Sequence, residues 1–543
     1  MRSNCLSVRL NAQASLSSLN FFSCAGPLRS TFLARISLGP KEADERCARR
    51  ASRAGTRYCE TPCQIHRLCS GAIPSRGATV GLAVKEPVRS AIKEGSVFYY
   101  VTSGEDIRRE SNDLVHILDK GAADFTVDTS KTRQTIKGFG GTFNEQGWDA
   151  LSALNDEERD KVIYNIFSPE EANLSYGRIP IGSSDCALER YSLAPEKDDF
   201  EMKSFSLDRD KKYLIPYIKA AQAVRPDIVL WGSAWSPPIW MKDNNEYEAG
   251  EFIDDLRYYK AYALYLARFA EEYEKEGMPI SSVAVQNEPT VVTGYPNGGW
   301  KPRQYLTFIR DFCGPLFAER ELDTEIMLGT FNESDYDSFA RTVLDDPEAK
   351  RYVGLVGLQW YGDAQIPHIL KNHPGMPIMQ TETDCGNWHW EPGFNREKAS
   401  NDFKYAAYTW GRMRSYLSAG VESYMLWNIV LDQEGKNIDK EMRWPQNSGI
   451  IVNTKTKEVI YTPMFRAFEH FSRFIPKGSK YVVTTGSRLS VVSFKDPEGN
   501  LVVELLNETK ARKSITGKIN GIFYEIELPS ESFSTLIIKK DSL

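Results

Sequence analysis

The chain has 543 residues, a formal charge of −6, 41% hydrophobic and 26% charged residues, and no apolar run of transmembrane length. That composition excludes wholesale disorder and collagen-like repeats. The acidic balance argues against a nucleic-acid partner, because phosphate binding calls for a basic surface. Aromatic residues reach 12%, including 11 Trp and 26 Tyr, a supply of flat rings suited to stacking on ligands.

The average hides a break. Residues 1–90 carry 14 Lys/Arg against 5 Asp/Glu, and six of the nine Cys. Rich in Arg and Ser, with no sustained helix or strand period, residues 1–94 read as a disordered or targeting-like leader. Its apolar stretches at 19–22 and 31–38 are too interrupted for a convincing signal peptide, so the compartment, cytoplasmic or secreted, stays open. A zinc set of Cys59, Cys63 and Cys69 with His66 or Cys47 has irregular spacing and is disfavoured. Cys186, Cys313 and Cys385 read as buried thiols.

In chain order, a strand at 97–101 comes first, within a stretch (95–135) assigned to a β-sandwich. Apolar runs of strand length follow at 135–144, 176–182, 229–235, 282–289, 325–331, 354–361, 377–384 and 422–429. Between them lie helix-length stretches at 156–167, 208–223, 253–276, 302–317 and 401–417. In the longest, Leu256, Tyr259, Ala263, Leu266, Ala270 and Tyr273 recur every three to four residues and form one apolar stripe. Eight such βα repeats predict an α/β fold, a (β/α)8 barrel over 136–478. The GFGG at 138–141 lacks the spacing of a dinucleotide-binding turn. From 479 to 543 the chain turns to short strands, at 481–485, 489–494, 501–507 and 535–540, broken by PEGN at 497–500. These join the N-terminal strands in one sandwich built from both chain ends and appended to the barrel.

Barrel chemistry sits at the C-terminal ends of the strands. Read in order, those ends give Glu145, Arg178 with Asp185, Trp235, Asn287-Glu288, Trp360-Tyr361, Glu382 and Trp427-Asn428. Two carboxylates close strands four and seven, Glu288 in VAVQNEP and Glu382 in IMQTETD. A carboxyl pair across a barrel mouth is what glycoside hydrolysis requires: one protonates the leaving oxygen, the other meets the developing positive charge. Taken alone, each Glu reads equally well as the solvent end of a strand, but Glu288 sits between an amide that can bind a sugar hydroxyl and a proline that fixes its turn. No H-E-x-x-H, G-x-S-x-G or Walker loop occurs, and no metal or organic cofactor is implied.

With these motifs the chain resembles the retaining glycosidases of glycoside hydrolase family 30, the glucosylceramidase family. The matching pieces are GFGG at 138–141, RIP at 178–180, SSD at 183–185, SAWSPPIWMK at 233–242 and NEP at 287–289. TGYP at 293–296, LQWY at 358–361, LWN at 426–428 and PMFRAFEHFSRFIPKGS at 463–479 follow. The resemblance implies Glu288 as acid/base, Glu382 as nucleophile and Asn287 as the partner of the sugar 2-hydroxyl. It further implies Asp185, Trp235 and Trp427 in the −1 subsite, Tyr361 beside the nucleophile, and Arg178 holding a glutamate. Read as residues alone, the two tryptophans could be barrel core, Asp185 a loop cap and Arg178 purely structural. The implied substrate is a carbohydrate or glycolipid. The alternatives within the resemblance are a β-1,6-glucan, a β-xyloside or a β-fucoside, and outside it a sugar-binding barrel without activity. Departures from the glucosylceramidase pattern are Asn144-Glu145 after GFGG and the run TDCGNWHW at 383–390, whose Trp388, His389 and Trp390 are expected to reshape the entrance.

Overall fold

A computed structural model describes residues 87–543 except 91, 105, 389–391 and 487–489. The leader readings up to residue 86, with the zinc set, lie outside these residues, as do His389, Trp390 and the start of the strand expected at 489.

Eight parallel strands close into a barrel in sequence order: Gly138–Thr142, Tyr176–Ile181, Val229–Ala234, Ile280–Ala284, Glu325–Phe331, Val353–Leu358, Ile378–Gln380 and Ser423–Asn428. They correspond one for one to the eight expected runs. The first begins three residues later than expected, because residues up to Thr135 belong to the sandwich strand Phe125–Thr135. The glycines of its GFGG have a packing reason: a Cβ on Gly140 would overlap the carbonyl oxygen of Tyr176 on the next strand.

The outer helices follow the apolar periods. Helix Leu256–Lys275, capped by Asp255, buries Tyr259, Ala263, Leu266, Ala270 and Tyr273. Leu256, the first residue past the cap, is 63% exposed and leaves the expected stripe. The stretch expected as one helix at 302–317 is Pro302–Phe308, a π turn at Ile309–Cys313, and Gly314–Glu319. Pro315 has no N–H to continue the ladder, and the chain widens by a residue to pass it.

The sandwich is an eleven-stranded sheet whose order interleaves the two ends of the described chain. Ser532–Ile538 lies between Leu501–Asn507 and Val97–Ser103, and Phe125–Thr135 lies between Lys513–Ile519 and Lys480–Gly486. Val97, Tyr99, Phe125, Val503, Ile526 and Leu536 share its core. Two strands were not anticipated, Lys513–Ile519 and Ile522–Leu528. They form a hairpin over Asn520-Gly521, both at positive φ, which is the Asn-Gly signature of a two-residue turn. Arg89–Ser90 also pairs with the strand Val115–Leu118, and Arg89 bridges Glu525 at 2.7 Å, so the sheet takes in residues read from sequence as leader. Two residues are too few to show a period.

Helix Pro463–Phe474 joins barrel and sandwich through a buried polar chain. Thr535 donates to Glu504 Oε2 at 2.8 Å, His470 Nδ1 lies 2.7 Å from the Thr535 hydroxyl, and His470 Nε2 lies 2.9 Å from that of Thr102. Burial pushes His470 down to about 3, so it is neutral, and pushes Glu504 well above its ordinary value of 4.5. A carboxyl raised on folding favours the native state fully below its unfolded value, and that contribution is lost as pH rises toward the folded one. We therefore expect the melting temperature of Glu504→Gln to fall less between pH 5 and pH 9 than that of the wild type. Parallel pH dependences in thermal unfolding would contradict the assignment.

Candidate active site

Inward-facing residues on the strands stack in layers two residues apart. The lower layer is an apolar plug of Tyr176, Trp231, Ala284, Met327, Leu355, Met379 and Met425. Two residues further along their strands come Arg178, Ser233, Thr381 and Trp427. Above them opens a cavity of about 670 Å³, lined among others by Asp185, Trp235, Asn287, Glu288, Glu382 and Trp427.

Arg178 is wholly buried and is the centre of this layer. One arm of its guanidinium donates to Glu382 Oε2 at 2.6 Å; the other donates to Asn287 Oδ1 at 2.7 Å and to Ser233 at 3.2 Å. Its Cζ lies 4.3 Å from the centroid of the Trp235 ring and 5.0 Å from that of Trp231. Asn287 Oδ1 also accepts from Thr330 at 2.8 Å. With its oxygen fully engaged, the Asn287 amide N–H is the end left for a ligand. Thr330 reaches Asn287 because the fifth strand bulges beyond Leu328, with Gly329 at φ 94°.

The two glutamates differ in their surroundings. Glu382 is bonded by Arg178 and by the Trp360 indole N–H, at 3.1 Å to Oε1. Glu288, at φ 45°, has no cation in contact among the described residues; among them its Oε1 accepts only from Gln359, at 3.0 Å. Burial, and then the charge of Glu382, push Glu288 up to about 8. Burial raises Glu382 too, but the contacting guanidinium opposes it. Both are shifted upward, and of the pair the surroundings favour the proton on Glu288 and the charge on Glu382, which alone has the guanidinium in contact. Asp185 is pushed up to about 7 by burial and by Glu382. Its Oδ2 accepts from Gln446 at 3.1 Å, while its buried Oδ1 has no hydrogen-bond partner among the described residues.

Trp235 and Trp427 stack on each other at 5.2 Å and both line the cavity. Tyr361 does not stand where it was expected. It lies at the rim, 70% exposed, and the donor to Glu382 is its neighbour Trp360. The sixth strand ends at Leu358, Trp360 adopts φ 52°, and the short helix Trp360–Gln365 carries Tyr361 outward. The Trp360 carbonyl is in turn held by Arg412 and Tyr416. Trp388 packs 5.5 Å from Trp360. Glu145 is no part of the cavity: it pairs with Arg209 at 2.7 Å and accepts from Leu188 N–H. Gln359 and Gln446 were not singled out from the sequence, although LQWY contains the first; Trp360 was read as a strand-end residue but given no role. Among the described residues, no helix is long and apolar enough to cross a membrane.

A barrel of this kind with a carboxyl pair at its mouth defines a class, the glycoside hydrolases. The chain belongs to glycoside hydrolase family 30: residues 136–475 match the TIM-barrel domain of that family and 478–536 its β-sandwich domain. The Caenorhabditis elegans protein named "Putative glucosylceramidase 3" is 30% identical over 486 residues, 84% of this chain and 90% of its own. The mouse lysosomal acid glucosylceramidase is 28% identical over 439 residues, 76% of this chain and 83% of its own. A solved endo-β1,6-glucanase shares the fold with a TM-score of 0.70 at 21% identity, covering 82% of this chain and all of its own.

Removing one member of a buried ion pair strands the other, at a cost of about 3–5 kcal/mol. Arg178→Met should lose that much stability in denaturant unfolding. The double variant Arg178→Met/Glu382→Gln should recover most of it, because no charge is left uncompensated. A double variant no more stable than the single one would show that Arg178 acts by packing alone.

Proposed function

We propose that this family 30 glycosidase is a retaining β-glycosidase, glucosylceramidase-like in its substrate. Glu288 acts as acid/base and Glu382 as nucleophile. The observation that carries the assignment is the unequal setting of the two cavity carboxyls. Only Glu382 has a guanidinium and an indole N–H on it, so only Glu382 is held ionised. In the first step Glu288 gives its proton to the glycosidic oxygen as the C–O bond breaks, and Glu382 attacks the anomeric carbon from the opposite face. In the second, ionised Glu288 takes a proton from water, which displaces Glu382 and restores the β configuration.

The Asn287 amide N–H meets the 2-hydroxyl, and Asp185 with its free oxygen, Trp235 and Trp427 hold the rest of the terminal sugar. Arg178 positions Glu382 and Asn287 together. Tyr361, at the rim, belongs to the leaving-group side. There Val291, Val292, Tyr361 and Met442 line the mouth, with Val292 72% exposed. Asp439 and Glu441 line the same cavity, so the mouth is mixed; its apolar residues, with the names of the nematode and mouse relatives, support a glycolipid aglycone. Activity on glucosylceramide and on nitrophenyl β-glucoside tests that choice; cleavage of β-1,6-glucan, β-xyloside or β-fucoside in preference to both would move the substrate within the family.

The roles are tested by azide, which needs no base. Glu288→Ala should still form the glycosyl-enzyme from a dinitrophenyl glycoside and, with azide, release a β-glycosyl azide. Glu382→Ala should yield the α azide, since azide then attacks from the vacated face. The same anomer from both, read by proton NMR, would overturn the assignment. In the wild type, kcat/KM should fall as pH rises through about 8, where Glu288 loses the proton it must donate. A flat profile from pH 7 to pH 9 on a substrate with a poor leaving group would contradict it.

A further inference from the structure

Among the described residues the Glu288 carboxyl makes a single hydrogen bond, with Gln359 as donor. That side chain is wholly buried just past the sixth strand and is fixed at both ends. Its Oε1 accepts from the Thr381 hydroxyl at 2.8 Å, and Thr381 immediately precedes Glu382. Its Nε2 faces two acceptors, Glu288 Oε1 at 3.0 Å and Asn287 Oδ1 at 3.4 Å. Asn287 Oδ1 can only accept, which turns the amide's Nε2 toward it and toward Glu288, and the Thr381 hydroxyl, which also faces the Leu358 carbonyl at 3.3 Å, completes that orientation by donating to Oε1. The oxygen that accepts its N–H is thereby disfavoured as the site of the carboxyl proton. Glu288 Oε2 has no hydrogen-bond partner among the described residues, and Glu288 lines the cavity.

We propose that Gln359 is a positioning residue for acid catalysis: its N–H occupies Oε1 and so assigns the Glu288 proton to Oε2, the oxygen presented to the leaving group. The step balances simply. The Oε2–H bond breaks as the proton passes to the glycosidic oxygen, which keeps the electron pair of the breaking C–O bond. Gln359 keeps its own hydrogen and remains bonded to the carboxylate it leaves behind. In the second step the same oxygen, still free, accepts the proton of the attacking water. Because Thr381 orients the amide, the chain from the seventh strand to Glu288 fixes the proton donor relative to Glu382.

This inference rests on Glu288 being the acid/base, and the test separates the two. Gln359→Met keeps the volume and removes the donor. It is assayed on a phenyl and a dinitrophenyl β-glycoside of the same sugar, beside Glu288→Gln. Phenolate needs a proton to leave and dinitrophenolate does not. Losing a well-placed acid is worth about 10²–10⁴-fold, so kcat/KM for the phenyl substrate should fall by about 100-fold and that for the dinitrophenyl substrate by less than about 3-fold. Equal losses on both, or none on the phenyl substrate, would overturn the proposal. If Glu288→Gln itself loses both substrates equally, the acid/base assignment fails and takes the proposal with it. Should the Met variant not fold, Thr381→Val, which removes the donor orienting the amide, must show the same leaving-group dependence in milder form. Loss without that dependence would overturn the proposal equally.

Discussion

A single guanidinium fork, buried beneath the cavity floor, sets the relations on which the site depends. Arg178 bonds a carboxylate with one arm and the Asn287 amide with the other, so strands two, four and seven are fixed to one another by one planar group. Lysine, a point charge, lacks that two-armed geometry. The desolvation of Arg178 is a cost that its bonds to Glu382, Asn287 and Ser233, and the rings beside it, offset. Once it stands there, the electrostatics of the cavity follow. The carboxyl in contact with it is the one whose charge is favoured; the one beyond its direct reach, facing that charge, is the one whose proton is favoured.

The eight barrel strands were legible because strands enclosed by helices must be apolar almost throughout, a pattern that survives without knowledge of any contact. Glu288 and Glu382 were legible because strand ends face the mouth and carboxylates there have few other reasons to be flanked by NEP or TETD. What was not legible turned on backbone geometry. The left-handed turn at Trp360 exchanges it with Tyr361 as the donor to Glu382, and nothing in the letters of LQWY announces that reversal. The bulge at Gly329, which brings Thr330 to Asn287, is similarly silent. The Asn520-Gly521 hairpin is different: its signal was present in the sequence, between two runs of alternating polarity, and was passed over.

Two further polar clusters show that buried charge in this protein is not by itself a mark of chemistry. Glu145 with Arg209 lies beside the barrel mouth but fixes a loop. Glu504, Thr535, His470 and Thr102 lie far along the chain from one another and join the last barrel helix to the sandwich. Neither opens on the cavity through these residues. Glu504 too keeps one carboxyl oxygen without a partner among the described residues; what distinguishes the candidate site is that its leftover polar ends, the Asn287 N–H, Asp185 Oδ1 and Glu288 Oε2, belong to residues that line a cavity.

The interleaved sandwich also governs how the chain reaches its native state. Val97–Ser103 pairs along its length with Ser532–Ile538, and Tyr99 reaches the carbonyl of Glu527 across 428 residues. Contacts of such separation carry a large loop-closure cost and form late. During synthesis Val97–Ser103 can pair at once with Asp106–Glu110, but its other edge stays unmet until the barrel and most of the later sandwich strands have been made. For that interval it is open to pairing with other chains. The barrel, whose neighbouring strands are successive in sequence, can assemble in the meantime and bring the two segments within reach, so the catalytic domain doubles as the spacer that makes the sandwich's closure affordable.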